Sequence, residues 1–205
     1  AVGGNALDAN TTGNYNNAFG YNTLTANTTG SNNVGLGHAV LQSNTTASNN
    51  TGVGFLALSS STTGQQNTAV GQNAADAITT GGINTAVGSN ALGATTTGNY
   101  NIAIGSDALI SNTTASDSTA IGYQAGYSLT TNGEGTMVGH RAGYSTTGVK
   151  NTFIGKGSGF DVTSGANNTI LGRFSGNQNN LDIRTSSNRV VLSDGDGNWR
   201  THFDN

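Results

Sequence analysis

The chain has 205 residues, 32 of them Gly, with no Cys, no Pro, 8% charged residues and a formal charge of −3. Without Cys it has neither disulfides nor thiol chemistry, and with seven Lys plus Arg against ten Asp plus Glu it is too poor in bases to read as a nucleic-acid binder. No apolar run approaches the roughly 18 residues of a spanning helix, so no membrane insertion is expected.

Low charge and low hydrophobicity together are also the mark of disorder. A strict period argues against that here. Gly3, Gly20, Gly37, Gly54, Gly71, Gly88, Gly105, Gly122, Gly139, Gly155 and Gly172 follow one another at 17 residues, with one step of 16 between Gly139 and Gly155. A short fixed period of this kind predicts a solenoid in which one repeat is one coil. The expectation is therefore an all-β parallel β-solenoid, a β-roll of about eleven coils over residues 1–176, followed by a differently built end over residues 177–205. No secretory leader is visible, and the chain opens inside a repeat at Ala1-Val2-Gly3, as a piece of a longer protein would.

Counting each of these glycines as position zero, a coil runs as follows. Positions −4 to −1 (Asn67-Thr68-Ala69-Val70 in one complete copy) predict a short strand, because β-branched residues dominate and helical periodicity is lacking. Alternation along a strand puts −1 and −3 on one face and −2 on the other. Position −2 is small in the early coils (Ala18, Gly35, Gly52) and large in the late ones (Met137, Phe153, Ile170), whereas +4 changes from Leu (Leu24, Leu41, Leu58) to Gly (Gly126, Gly143, Gly159). Packed interiors conserve volume, so −2 and +4 are expected to fill one interior, with the +5 aromatics Tyr127, Tyr144 and Phe160 sharing the exchange. Position −1 is apolar in every coil and would then form a long exposed row, which predicts burial between chains; the opposite phase, with −1 inside, predicts an oligomer too. Thr-Thr-Gly at +8 to +10 reads as the closing corner, and Asn at −4 as a ladder of side-chain amides at another corner. At about 4.8 Å per coil the shaft is on the order of 50 Å long.

The least constrained slots are the candidate contact surface. Position +1 holds Tyr21, His38, Phe55, Tyr123, His140, Lys156 and Arg173; position +12 holds Tyr15 and Tyr100; and Arg141 opens the basic end. Residues 1–140 contain no Lys or Arg, whereas all seven fall within residues 141–205. Exposed aromatics and cations of this kind are candidate receptor-binding residues for cell-surface glycans or proteins; a tolerant solvent surface is the alternative. No catalytic constellation can be assembled from His38, His140 and His202, so no enzymatic activity and no cofactor are expected. Gly155-Lys156-Gly157-Ser158-Gly159 has glycines at repeat phases and no P-loop Lys-Ser/Thr. Asp194-Gly195-Asp196-Gly197-Asn198 looks like the start of a calcium loop but lacks the closing Glu; a hairpin turn between Arg189–Leu192 and Trp199–Phe203 fits better, and no metal is expected. Regular Thr rows leave an ice-binding solenoid as a further alternative.

The unit Asn-Thr-Ala-Val-Gly-x-Asn-Ala-Leu resembles the repeat of the YadA-like head of trimeric adhesins, and is more similar still to repeats of bacteriophage tail fibres and bacterial adhesive fibres. The run Ser187-Asn188-Arg189-Val190-Val191-Leu192-Ser193-Asp194-Gly195 is similar to a segment that often precedes an endosialidase-type chaperone in such fibres. The resemblance implies a left-handed roll, a homotrimer with two further copies of the chain, and an extracellular location on a virion tail or bacterial surface. The implied role is to form or hold a receptor-binding region, or to serve as a passive shaft. The repeat here is longer than that of the adhesin head.

Overall fold

The computed structural model describes residues 1–203, and these form an all-β chain with no helix. The strands are β1 (Asn17–Phe19), β2 (Val34–Leu36), β3 (Thr51–Val53), β4 (Thr68–Val70), β5 (Thr85–Val87), β6 (Ile102–Ile104), β7 (Thr119–Ile121), β8 (Thr136–Val138), β9 (Thr152–Ile154), β10 (Thr169–Leu171), β11 (Asn177–Gln178), β12 (Leu181–Asp182), β13 (Val190–Ser193) and β14 (Trp199–Phe203). From β1 to β10 each strand pairs in parallel with the next, like residue on like: Thr68 on Thr85, Ala69 on Ala86, Val70 on Val87. The result is a parallel β-solenoid. Its first rung, at Val2, makes a single bridge to Phe19 rather than a strand, so strands occupy ten of the eleven expected repeats.

Each strand is one residue shorter than expected, because the Asn at −4 is engaged sideways. The Asn67 backbone N–H donates to Asn50 Oδ1 at 2.9 Å, and the Asn67 side-chain amide donates to the Gly81 carbonyl of the next coil at 2.9 Å. The ladder thus joins strand start to closing corner through buried side chains. It lapses where Ser118 and Gly135 replace Asn. Gly135 makes room for Met137, whose Cε would lie 2.7 Å from a Cβ at that glycine.

In every strand from β1 to β10 the middle residue is buried and its two neighbours are exposed, as in β4, or half-buried, as in β5, so −2 points inward and −1 and −3 outward. The expected trade is visible as contact. A Cβ on Gly159 would fall 2.6 Å from the Phe153 ring, and one on Gly143 would fall 2.8 Å from Met137 Cγ. The late large residues occupy the volume that Leu24, Leu41 and Leu58 fill in early coils, each such Leu stabilising its coil by about 1.5–3 kcal/mol. The +5 aromatics do not share in this. Tyr127, Tyr144 and Phe160 are only half-buried and stack outside the coil, their ring centroids 4.8 and 5.1 Å apart, because the chain has already turned outward after +4.

Two further interior rows complete the core. Position +3 is buried as Thr23, Val40, Ala57 and Ala74, and its larger members face the two −2 glycines: a Cβ on Gly35 would meet Thr23 Cγ2 at 2.5 Å, and one on Gly52 would meet Val40 Cγ1 at 2.4 Å. Position +7 is buried as Asn27, Asn44, Ile78, Leu129 and Val162, with Ile78 large where Ala75 is small. Asn27 and Asn44 form a second amide ladder, Asn44 Nδ2 donating to Asn27 Oδ1 at 2.7 Å.

The stack continues past residue 176. β13 pairs in parallel with β10, Thr169 opposite Val190, so the β11–β12 hairpin lengthens this coil without ending the sheet. β14 then folds back antiparallel on β13 as the outermost strand. The last two residues of the segment 177–205, Asp204 and Asn205, lie outside the described residues. The turn at Asp194 is a hairpin turn as expected. Asp194 Oδ1 accepts from the Asp196 and Asn198 N–H groups at 3.0 and 2.9 Å, and Arg200 pairs with Oδ2.

Candidate binding surfaces

Two outer surfaces emerge from this geometry. The first is the outward sheet face, made of the −3 and −1 rows. Along −1, Val2, Phe19, Leu36, Val70, Ile104, Ile121, Ile154 and Leu171 are exposed, from 58% at Val2 to 38% at Val70. The −3 row beside it is largely Thr, with Val34 and Ile102 among them, and neither row holds a charged residue. Near the first coils Val2, Phe19, Val34 and Leu36 line a shallow hollow of about 330 Å³ on this face.

The second surface is the ridge that follows each zero glycine. Parallel in-register coils place equal positions one rung apart, about 4.8 Å, so the variable +1 residues stack. Tyr21, His38 and Phe55 form one ladder of stacked rings, 5.6 and 5.2 Å between centroids. Further along, Tyr123 and His140 are 5.4 Å apart and tilted. Arg141 lies over the Tyr123 and Tyr144 rings at 5.7 and 5.6 Å and donates from Nε to Gln124 Oε1 at 3.0 Å. Its cation is held between two aromatic faces, which orients it and limits its freedom.

Four of the candidate residues come together in one cleft. His140, Arg141, Lys156 and Arg173 line an open hollow of about 340 Å³, together with Phe160, Ser175, Gln178 and Asp196. Tyr15 and Tyr100 do not join any such group. They lie in one row five coils apart, Tyr15 83% exposed, each at a left-handed backbone position (φ 58 in both) at the corner before a strand. The sequence did not single out Phe160 or Asp196 as contact residues. Phe160 was legible as the third member of the +5 aromatic row. Asp196 arrives from the tail, which has no repeat phase to place it.

Three ion pairs form among the described residues at this end. Lys150 faces Glu134 at 3.6 Å, Arg184 pairs with Asp182 at 2.7 Å, and Arg200 pairs with Asp194. The Arg184 side chain and its backbone N–H hold the Asp182 carboxyl below the usual carboxylate range. For Asp194, desolvation pushes upward, but hydrogen bonds from Asn198 and Asp196 and the nearby Arg200 bring the net shift below the usual range. Among the described residues, Lys156 and Arg173 have no ion-pair partner. No group of three or more His, Asp or Glu among the described residues is arranged to hold a metal ion. Comparison of the chain with protein families, curated proteins and solved structures finds no match.

Proposed function

We propose that this chain is a segment of an extracellular trimeric fibre, in which three copies bury their outward sheet faces against one another and leave the +1 ridge outside to meet cell-surface glycans or proteins. The observation that carries the reading is the uncharged, apolar −1 row, exposed on rung after rung of one in-register face. A contiguous apolar surface of this extent is unfavourable in water. The occupant that fits it is a second copy of the chain, because only a partner with the same rung spacing can match every row along a face on the order of 50 Å long. The hollow at Val2, Phe19 and Leu36 offers seats for the same row of a neighbour.

Light scattering on the purified chain tests this. The expected mass is three times 20.5 kDa, and a monodisperse monomer overturns the trimer. Val70→Lys with Val87→Lys, both outward on the −1 row, should yield folded monomers, read by circular dichroism alongside scattering. Cell-binding and glycan-array measurements then separate a receptor binder from a passive shaft. The outward, mostly half-buried Thr row at −3 favours one second reading, an ice-binding face, which an ice-recrystallisation assay on the same sample decides.

A further inference from the structure

We propose that the cleft around Lys156 and Arg173 binds an acidic saccharide, a sugar bearing a carboxylate or sulfate, with the anionic group between the two cations and the ring laid against Phe160. Lys156 and Arg173 occupy the same +1 position on adjacent coils, about one rung or 4.8 Å apart. Like charges so placed repel, and neither has an ion-pair partner among the described residues, although Asp182 and Asp194 nearby are paired and Asp196 lines the same cleft. An oxyanion held between them relieves the repulsion and accepts charge-assisted hydrogen bonds from both.

The other walls select for a sugar rather than a bare ion. The Tyr127–Tyr144–Phe160 stack ends at Phe160, because the next coil carries Asn177 at that position. Phe160 therefore lines the cleft with no further ring stacked beyond it, an apolar platform for one face of a pyranose. In the same lining, Gln178, Ser175 and Asp196 supply acceptors and donors for hydroxyl groups. Gln178 is oriented by its own hydrogen bond, Nε2 donating to the Asp196 carbonyl at 3.2 Å. This inference rests on the reading of the outer ridge as a contact surface, and it is independent of the trimer.

Calorimetric titration of the full chain decides it, with a uronate oligosaccharide, a sulfated oligosaccharide, their neutral counterpart, inorganic sulfate and a poly-glutamate peptide as probes. One or both acidic oligosaccharides should bind, weakening with salt, and the neutral one should not. Lys156→Gln and Arg173→Gln should each weaken binding about tenfold, equivalent to about 1.4 kcal/mol. Phe160→Leu should weaken the saccharide while leaving any response to inorganic sulfate unchanged. The proposal is overturned by equal binding of the neutral sugar, by inorganic sulfate or the peptide binding as tightly as the saccharide, by no acidic saccharide binding, or by unchanged affinity in the Lys156 and Arg173 variants. Light scattering on the same samples reports the trimer separately: a trimer that binds nothing sinks only the cleft, and a monomer that binds sinks only the fibre.

Discussion

Replacing Gly71 by Ala should cost this solenoid far more than replacing Gly64 by Ala, although the two glycines are equally crowded. A Cβ on Gly71 would stand 2.5 Å from the Gly88 carbonyl oxygen, and one on Gly64 would stand 2.3 Å from that of Gly81. Contact alone predicts the same penalty. The backbone separates them. Gly71 has φ +141, where L-residues rarely go, whereas Gly64 lies outside the left-handed region. The chain supplies its own control, since Ala47 and Ala115 already fill the Gly64 slot in other coils and are buried there. The Gly71 change adds about 1–3 kcal/mol of backbone strain. Weakening the rung bond from the Gly71 N–H to the Val53 carbonyl, 2.8 Å long, adds about 0.5–1.5 kcal/mol. A total of about 2–4 kcal/mol lowers the melting temperature by roughly 4–16 °C for a chain of this size. Gly64→Ala should stay within about 1 kcal/mol, helped by a less flexible unfolded chain. Thermal melts followed by circular dichroism, with hydrogen exchange to locate the weakened coils, measure both. Equal losses would mean that crowding and not φ governs these rows; a neutral Gly71→Ala would refute the strain argument outright.

Asn67→Ala should destabilise by about 2–5 kcal/mol in urea denaturation, because it strands the buried Gly81 carbonyl and the Asn84 N–H that Asn67 Oδ1 accepts at 2.9 Å. Ile83→Asn should raise stability by about 1 kcal/mol in the same assay, since a β-branched residue sits at φ 59 on a half-exposed corner where Asn is at ease. Asp76 is desolvated by burial, which raises its pKa above 3.8 despite hydrogen bonds from its own backbone and that of Ala77. A raised folded pKa means its contribution to stability is intact below the unfolded pKa and is lost as pH rises through the folded value. Asp76→Asn should therefore be more stable than the parent at pH 7, with the gap closing under acid; a gap that widens on acidification contradicts the desolvation.

The interior was legible where a trade in volume left a trace. Met137, Phe153 and Ile170 could be assigned inward because the +4 residues shrink to Gly as they grow, and the contacts of Gly143 and Gly159 bear this out. Rows +3 and +7 left no comparable trace. Thr23, Asn27 and Asn44 are polar and read as turn residues, yet the coil buries them by giving the Thr23 hydroxyl and the Asn27 and Asn44 amide nitrogens acceptors on adjacent rungs or within the turn, with only the Asn44 side-chain oxygen among them left unpartnered. The left-handed positions were hidden for a related reason: Leu24 and Leu41 adopt φ 53 and 50 because side-chain burial outweighs the local strain, so residue type gives no hint of backbone conformation. In the tail, the rung at Val190 follows Thr169 by 21 residues instead of 17, and a period count loses it although the pairing is unbroken.

Stability in this chain is carried by rows that never reach the outer ridge. Backbone rungs, Asn amides and the apolar interior repeat whatever stands at +1, which leaves that position free to change. Stacking then sets the chemistry of the ridge, because each +1 side chain meets the next one rung away, and in places that neighbour is its like. Aromatic neighbours satisfy one another, as Tyr21, His38 and Phe55 do at 5.6 and 5.2 Å. Cationic neighbours cannot, and Lys156 beside Arg173 forms no ion pair among the described residues, even with Asp196 in the lining of the same cleft, which leaves both open to something anionic from outside. The same periodicity that makes the shaft self-sufficient thus leaves its basic end incomplete, and places the open Phe160 face and the unpaired cations in a single cleft.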